Sequence, residues 1–136
     1  GLPPGRRRVT LLTFRLLRGQ SPMTRTDLEA MFRAVDAAEW DAVARYFHPD
    51  LRYDRPGFAR LEGREQVLRF YREVRTNRGE HRFDGFAIEA DAGACWGRFI
   101  GAKSDGTPLD FAFADCYRFK DGLLWQRKSF FYLPLV

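Results

Sequence analysis

The second half of the sequence contains four runs in which apolar and polar residues alternate, and this pattern limits the possible folds more than any other feature. The runs read "HRFDGFAIEA", "ACWGRFIGAKS", "LDFAFADCYRF" and "LLWQRKSFFYL", separated by "DAG", "SDGTP" and "KDG". Alternation is typical of half-buried strands, and Asp-Gly pairs favour tight hairpin turns. We therefore predict an antiparallel meander of four strands that begins near His81.

The segment before the meander has a helical period. Apolar residues repeat at helical spacing after Thr26, which has capping-box spacing with Glu29, so a first helix is predicted up to about Ala38. A second short helix is predicted to carry Trp40 and Phe47, followed by a short strand at "LRYDRPG" and a third helix at "REQVLRFYREV". Helices followed by a meander predict an α+β domain whose helices cover one face of a bent sheet.

Size and charge narrow the class of protein. A chain of 136 residues, 45% of them hydrophobic, suits one domain with a real core. The net charge of +5 is accounted for by arginines within residues 1–18, and the rest of the chain is balanced, so we do not expect nucleic-acid binding. We divide the chain into a basic amino-terminal extension, residues 1–22, and a single domain, residues 23–136.

Several classes of site and location are disfavoured by the sequence. No stretch is apolar enough to span a membrane, and the apolar run near the amino terminus is interrupted by arginines without a cleavage site, so we expect a cytoplasmic protein. No Gly-rich phosphate loop and no His/Cys/Asp cluster at metal-ligand spacing occurs, so we expect no metal and no cofactor.

A carboxylate interrupts the aromatic face of the third strand. Phe111, Phe113, Tyr117 and Phe119 alternate onto one face, and Asp115 falls on that same face. A carboxyl group buried among aromatic rings should have a raised pKa, which would suit an acid or hydrogen-bond donor near neutral pH. The alternative is structural, with Asp115 satisfied by an arginine or by backbone amides.

The pattern resembles that of a known superfamily. Three leading helices, the stretch "F-x-x-D-x-x-Y-D-x-P-G" followed by "G-R" and "F-Y" within residues 47–71, and the late strand "ADCYRFKDG" resemble the nuclear transport factor 2-like superfamily. This superfamily includes ketosteroid isomerases and SnoaL-like polyketide cyclases. The resemblance covers about residues 26–133 and implies a cone-shaped roll, with three helices packed on a curved, mostly antiparallel sheet.

The resemblance also assigns roles to two acids. The strand around Asp115 is similar to the isomerase strand whose carboxylic acid stays protonated and donates a hydrogen bond to the substrate oxyanion. Asp54 occupies the place of the isomerase general base when the alignment is counted back from Gly63, whereas Arg55 occupies it when counted from Phe47. Strand alternation favours an inward Arg55, which would orient an anionic oxygen or pair with Asp115.

Four further residues are candidates for binding the substrate. Tyr71 matches a pocket tyrosine of the isomerases, and Tyr53 could supply a hydroxyl that the first helix lacks, because that helix offers no tyrosine. His81 could carry protons at the cavity mouth, and Trp96 could stack on a planar substrate. Alternatively, both tyrosines and Trp96 belong to the core, and His81 lies at the surface.

The resemblance implies cofactor-independent acid/base chemistry, an isomerase or cyclase acting on a polyketide-like or polycyclic small molecule in secondary metabolism. The alternative is a non-catalytic binding module of the same fold that assists partner enzymes. The expected partners are a hydrophobic small-molecule substrate and a second copy of the chain, forming a homodimer through the outer face of the sheet.

Overall fold

Residues 22–132 are described by the computed structural model, and they contain three α-helices and six strands. The predicted extension, residues 1–22, therefore lies outside the described residues except at its last position. No helix within residues 22–132 has the length and hydrophobicity needed to cross a membrane.

The helices are α1 (Arg25–Asp36), α2 (Trp40–Ala44) and α3 (Arg64–Arg69), which continues as a π-helical turn, Phe70–Val74. The strands are β1 (Phe47–Asp54), β2 (Leu61–Glu62), β3 (Arg78–Ile88), β4 (Ala92–Ala102), β5 (Pro108–Lys120) and β6 (Leu123–Tyr132).

The six strands form one sheet in the order β2-β1-β6-β5-β4-β3. The four predicted strands, β3 to β6, pair antiparallel in sequence order. Strand β1 adds in parallel to β6, and β2 adds antiparallel to β1. Helix α1 packs against β3, so the helices cover one face of a mostly antiparallel sheet. The predicted α+β class and cone-like arrangement are confirmed.

Two local predictions are wrong. Phe47 is not at the end of a helix, because β1 begins there and pairs with Leu124 of β6. Phe47 and Leu51 are each 1% exposed, so the burial gained by joining the sheet outweighs local helical spacing. The capping box at the start of α1 is formed by Thr24 and Asp27, two residues earlier than the predicted pair.

Strand alternation separates a buried face from an exposed face. Along β5, Phe113, Asp115 and Tyr117 are buried while Cys116 and Arg118 are exposed, as the sequence predicts. The sheet also bends, since the pairing of β3 with β4 shifts between Phe83 and Gly85. The buried face is concave as a result, and it turns its side chains toward the helices.

The observed cap can be tested by two matched substitutions. Thr24→Ala removes the side-chain acceptor for the Asp27 amide, so we expect the free energy of unfolding to fall by about 1 kcal/mol. Thr26→Ala should change it by less than about 0.5 kcal/mol, because Thr26 lies within the first turn and caps nothing. Urea denaturation measures both, and an equal loss in the two variants would contradict the assigned cap.

Candidate functional site

A cavity of about 310 Å³ lies between the concave face of the sheet and the π-helical turn. Its apolar wall is formed by phenylalanines from β4, β5 and β6 and by Phe70 and Val74 from the turn. Its polar groups cover less of the wall than its apolar groups do, and they come from five different parts of the chain: Tyr53, Arg55, Tyr71, Arg75, Thr76, Asn77, His81, Asp115 and Arg127. A mainly apolar hollow on which polar groups converge is the usual form of a small-molecule site.

Asp115 lies in this cavity, but it is fully paired with protein groups. It is 1% exposed and accepts hydrogen bonds from Arg127 Nε at 2.9 Å, the Tyr117 hydroxyl at 2.8 Å and the Ser129 hydroxyl at 2.6 Å. All three partners donate, and one of them is a guanidinium, so the geometry is that of a carboxylate in a buried ion pair. The expected role of Asp115 as a protonated hydrogen-bond donor is therefore wrong, and the structural alternative applies.

The directions of the surrounding hydrogen bonds follow from this carboxylate. Since Ser129 uses its hydrogen on Asp115, Tyr53 donates to Ser129 at 3.1 Å. Tyr117 likewise uses its hydrogen on Asp115, so the Cys95 thiol donates to Tyr117 at 3.0 Å. Every hydroxyl hydrogen in this group is then engaged.

Tyr71 differs from those hydroxyls. Its oxygen accepts a hydrogen bond from Arg127 Nη1 at 2.6 Å, and its own hydrogen has no acceptor within residues 22–132. The side chain is 3% exposed, stacks on Trp40 with ring centroids 5.3 Å apart, and lines the cavity. Tyr71 therefore presents a hydrogen-bond donor to the cavity, and the positive charge behind its oxygen strengthens that donor.

Burial and charge set the protonation of this network. Burial opposes the charge of Arg127, but attraction to Asp115 and to the neighbouring tyrosines raises its pKa well above its ordinary value. Burial and the negative charge of Asp115 raise the pKa of Tyr117 well above its ordinary value. Burial likewise raises the pKa of Cys95 to about 12, so the thiol stays protonated and is not a nucleophile.

His81 is held by a carboxylate that the sequence analysis did not single out. Its Nδ1 lies 2.5 Å from Asp36 Oδ1, and its backbone amide donates to Asp36 Oδ2 at 2.9 Å. Asp36 ends helix α1 and His81 lies in β3, so the contact between helix and sheet creates the pair. The His81 side chain is 9% exposed and is packed among Phe32, Phe99 and Phe113.

This environment favours the neutral imidazole. Burial lowers the pKa of His81 and outweighs the opposing effect of the hydrogen bond and charge of Asp36. Because an ionised carboxylate only accepts, Nδ1 carries the hydrogen and Nε2 keeps the lone pair. Nε2 has no partner within residues 22–132, yet it is not sealed from solvent, and His81 lines the cavity. The arrangement can accept a proton from a bound molecule.

The uncertain choice between Asp54 and Arg55 is decided by strand parity. Tyr53 and Arg55 line the cavity, whereas Asp54 points to the other side of the sheet. There Asp54 accepts two hydrogen bonds from Arg60, from Nε at 2.8 Å and from Nη2 at 3.1 Å. The hydrogen bond from Arg60 lowers the pKa of Asp54. The prediction of Asp54 as a general base is wrong, because it does not reach the cavity.

Trp96 is also misplaced by the sequence analysis. On β4 the buried face carries Cys95 and Phe99, so Trp96 points outward, is 43% exposed and covers Gly85 of the neighbouring strand. It does not line the cavity, and the predicted stacking on a substrate is wrong.

Three residues that hold the hydrogen-bond networks of the site were missed by the sequence analysis, as was Arg75, which lines the cavity. Arg127 and Ser129 alternate with Phe131 on β6, and this alternation could have placed both on the aromatic face. Asp36 carries no such signal, because its role depends on how α1 docks on β3. Within residues 22–132 there is no group of three or more His, Cys, Asp or Glu that could hold a metal ion.

Comparisons with known proteins agree on the family and fold. The sequence profile described as SnoaL-like domain matches residues 28–127. A search of curated protein sequences finds no match.

Solved structures with low sequence identity share the fold. An LEH-like epoxide hydrolase from M. tuberculosis is 16% identical with a TM-score of 0.70, and the alignment covers 87% of this chain and 85% of that one. A protein of ketosteroid isomerase-like fold from Catenulispora acidiphila, in complex with trimethylamine, is 16% identical with a TM-score of 0.71, covering 82% and 88%. A protein named as a SnoaL-like polyketide cyclase from Jannaschia sp. CCS1 is 20% identical with a TM-score of 0.67, covering 82% and 88%.

Proposed function

The chain belongs to the SnoaL-like domain family, and from that premise we propose that it is a cofactor-independent acid/base enzyme, an isomerase or cyclase that enolises a ketone in a polyketide-like small molecule. The observation that carries the proposal is a neutral, oriented His81 in the same small apolar cavity as the unengaged hydroxyl hydrogen of Tyr71. A base and a hydrogen-bond donor are the two groups that enolisation requires.

His81 takes the role of the base. Nε2 accepts a proton from the carbon next to the substrate carbonyl, and the electron pair of that C–H bond forms the new C=C bond while charge moves to the carbonyl oxygen. The imidazolium that results is stabilised by Asp36, whose carboxylate holds Nδ1. The ring centroids of Phe32 and His81 lie 4.7 Å apart, and Phe32 and the other aromatic neighbours limit the access of water to the imidazole.

Tyr71 takes the role of the oxyanion donor. Its hydrogen bonds to the developing enolate oxygen, and Arg127 supports the shift of charge because Nη1 already donates to the Tyr71 oxygen at 2.6 Å. The guanidinium carbon of Arg127 and the ring of His81 lie 5.1 Å and 4.7 Å from the ring centroid of Phe32, and His81 and Tyr71 both line the cavity. Asp115 is a positioning residue, since it fixes Arg127 and does not provide a proton.

The second half of the reaction returns the proton. In an isomerase, the substrate is a β,γ-unsaturated ketone, so loss of the α-proton gives a dienolate; the His81 imidazolium gives its proton to the γ-carbon, the carbonyl re-forms and the C=C bond moves to the α,β position. In a cyclase, the enolate carbon attacks a second carbonyl of the same molecule, and that oxygen receives the proton from His81. Both outcomes regenerate the neutral imidazole.

The size of the cavity favours a small substrate. About 310 Å³ is near the lower limit for small-molecule sites, and the walls are rich in flat aromatic rings. A molecule of one or two rings suits this volume better than the larger polycyclic substrate that the sequence analysis allowed.

A non-catalytic binding module is the second candidate. It is favoured by Asp115, because a carboxylate that is fully paired with Arg127 serves the structure whether or not a reaction occurs. The two candidates differ in proton transfer, since a binding module would hold a ketone without exchanging its α-hydrogens.

The proposed chemistry can be tested with 2-tetralone, an enolisable two-ring ketone, by following α-hydrogen exchange in D₂O by NMR. We expect His81→Asn to slow the enzyme-dependent exchange by about 10²–10⁴-fold, because an asparagine amide can bind Asp36 but cannot accept the proton. Tyr71→Phe should slow it by about 10²–10³-fold, because the oxyanion donor is removed.

The matched control is Asp54→Asn, which removes the other acid that the sequence suggested and should leave the exchange rate unchanged. If the wild-type protein binds 2-tetralone without accelerating exchange, the binding module is favoured. A rate that is the same in His81→Asn and wild type would refute the assigned base.

We also propose that the chain forms a homodimer through the outer face of the sheet. Trp96 and Phe130 lie on this face on either side of Ala114, are 43% and 47% exposed, and form with Tyr132 an apolar patch. A self-complementary patch of this kind suits a two-fold interface.

Sedimentation equilibrium should show a dimer for the wild type and a monomer for Phe130→Lys. The control is Phe58→Lys, at an exposed phenylalanine outside the patch, which should remain dimeric. Stable dimers persist at about 50 μM, so a monomeric wild type at that concentration would contradict the proposal.

A further inference from the structure

We infer that the ligand of the cavity carries a carboxylate and that Arg55 and Arg75 bind it. This inference rests on the proposed function, which supplies the reacting ketone. A ketone that also carries a carboxylate is a keto acid, so the inferred substrate class is a planar keto acid. Neither the family profile nor the proposed chemistry requires a negative charge on the substrate, and the assignment comes from the charges around the cavity.

The cavity has an excess of positive charge. Its lining contains three arginines, Arg55, Arg75 and Arg127, and a single acid, Asp115. Asp115 and Arg127 neutralise each other at 2.9 Å. Across residues 22–132, no carboxylate lies within 4.0 Å of the guanidinium of Arg55 or Arg75. Two guanidinium groups therefore face the cavity with their charges unmatched by protein.

Arg55 has a buried donor without an acceptor. Its Nε is inaccessible to solvent and makes no hydrogen bond, the only such buried side-chain atom among the described residues. The guanidinium carbon lies 3.8 Å from the ring centroid of Phe70 and 4.6 Å from that of Phe58, so stacking on the rings holds the group in place. A buried donor without a partner is costly. The terminal nitrogens of Arg55 also make no hydrogen bond to another described residue, and they are not sealed from solvent as Nε is, so they are the atoms that can bind a ligand oxygen in the cavity.

Arg75 extends the positive charge toward the reacting groups. Its guanidinium carbon lies 5.5 Å from the ring centroid of Tyr71 and 5.4 Å from that of Phe99. The Phe99 ring is in turn 5.0 Å from the ring of His81. Arg75 also follows the π-helical turn directly, so the turn that positions Tyr71 positions this arginine as well.

These features match a flat carboxylate better than a neutral molecule. Guanidinium groups bind carboxylates through paired hydrogen bonds in one plane, and the aromatic rings beneath Arg55 favour a planar ligand that continues the stack. With the carboxylate on Arg55 and Arg75, the remainder of the molecule would extend along the phenylalanine wall toward Tyr71 and His81. The two arginines thus select the substrate and set its direction in the cavity.

The inference is tested by calorimetric titration with two probes of the same shape, 2-naphthoate and 2-naphthamide. We expect the wild-type protein to bind the carboxylate at least about tenfold more tightly than the amide, the size of one charge-assisted contact. Arg55→Gln should abolish the preference, Arg75→Gln should reduce it, and Arg55→Lys should keep part of it. Circular dichroism checks that each variant is folded.

The matched control is Arg33→Gln, which removes the same charge from an exposed position on α1 and should leave the preference intact. Equal affinity for the two probes, no binding of 2-naphthoate at millimolar concentration, or equal losses in Arg33→Gln and Arg55→Gln would overturn the inference. Binding of these probes does not require His81, so His81→Asn should retain the preference. If the proposed chemistry is wrong, hydrogen exchange in 2-tetralone is not accelerated. If the carboxylate site is wrong, the calorimetric preference for 2-naphthoate is absent, so the two failures can be distinguished.

Discussion

The arrangement of the site depends on the buried ion pair between Asp115 and Arg127. A carboxylate that is 1% exposed must be surrounded by donors, and here Arg127, Tyr117 and Ser129 supply them. Satisfying this one group fixes the hydrogen-bond direction of every neighbouring hydroxyl. Tyr71 is affected as well, because its oxygen accepts a hydrogen bond from Arg127 and its own hydroxyl hydrogen is left for the cavity. The need to pair Asp115 in the core therefore leaves the Tyr71 hydroxyl as a hydrogen-bond donor in the cavity.

The second functional group has a different origin. His81 belongs to the sheet and Asp36 to a helix, and the docking of these layers places the imidazole between a carboxylate and an apolar hollow. Burial keeps the ring neutral, because it lowers the pKa more than Asp36 raises it. The concave sheet then brings this base and the Tyr71 donor to one cavity, whose aromatic walls keep the local dielectric low and strengthen both interactions.

Strand periodicity predicted the parts of this site that lie on single strands. The alternation of β5 placed Asp115 on the aromatic face, and the alternation of β1 favoured an inward Arg55 over Asp54. The same rule applied to β4 would have turned Trp96 outward, but Trp96 was assigned instead as an aromatic ring that could stack on a planar substrate. Partners across elements were not predictable, because Asp36 meets His81, and Arg127 meets Tyr71, only after helices and sheet have packed.

The central claim is that His81 is neutral, with its hydrogen on Nδ1 and its lone pair on Nε2 facing the cavity. Long-range ¹⁵N–¹H correlation spectra report the tautomer of each histidine ring directly, and a His48→Gln variant assigns the two rings. We expect the His81 spectrum at pH 7 to show the Nδ1–H form, and protonation to occur only below the ordinary histidine pKa of about 6.5. An imidazolium or an Nε2–H tautomer at pH 7 would contradict the account.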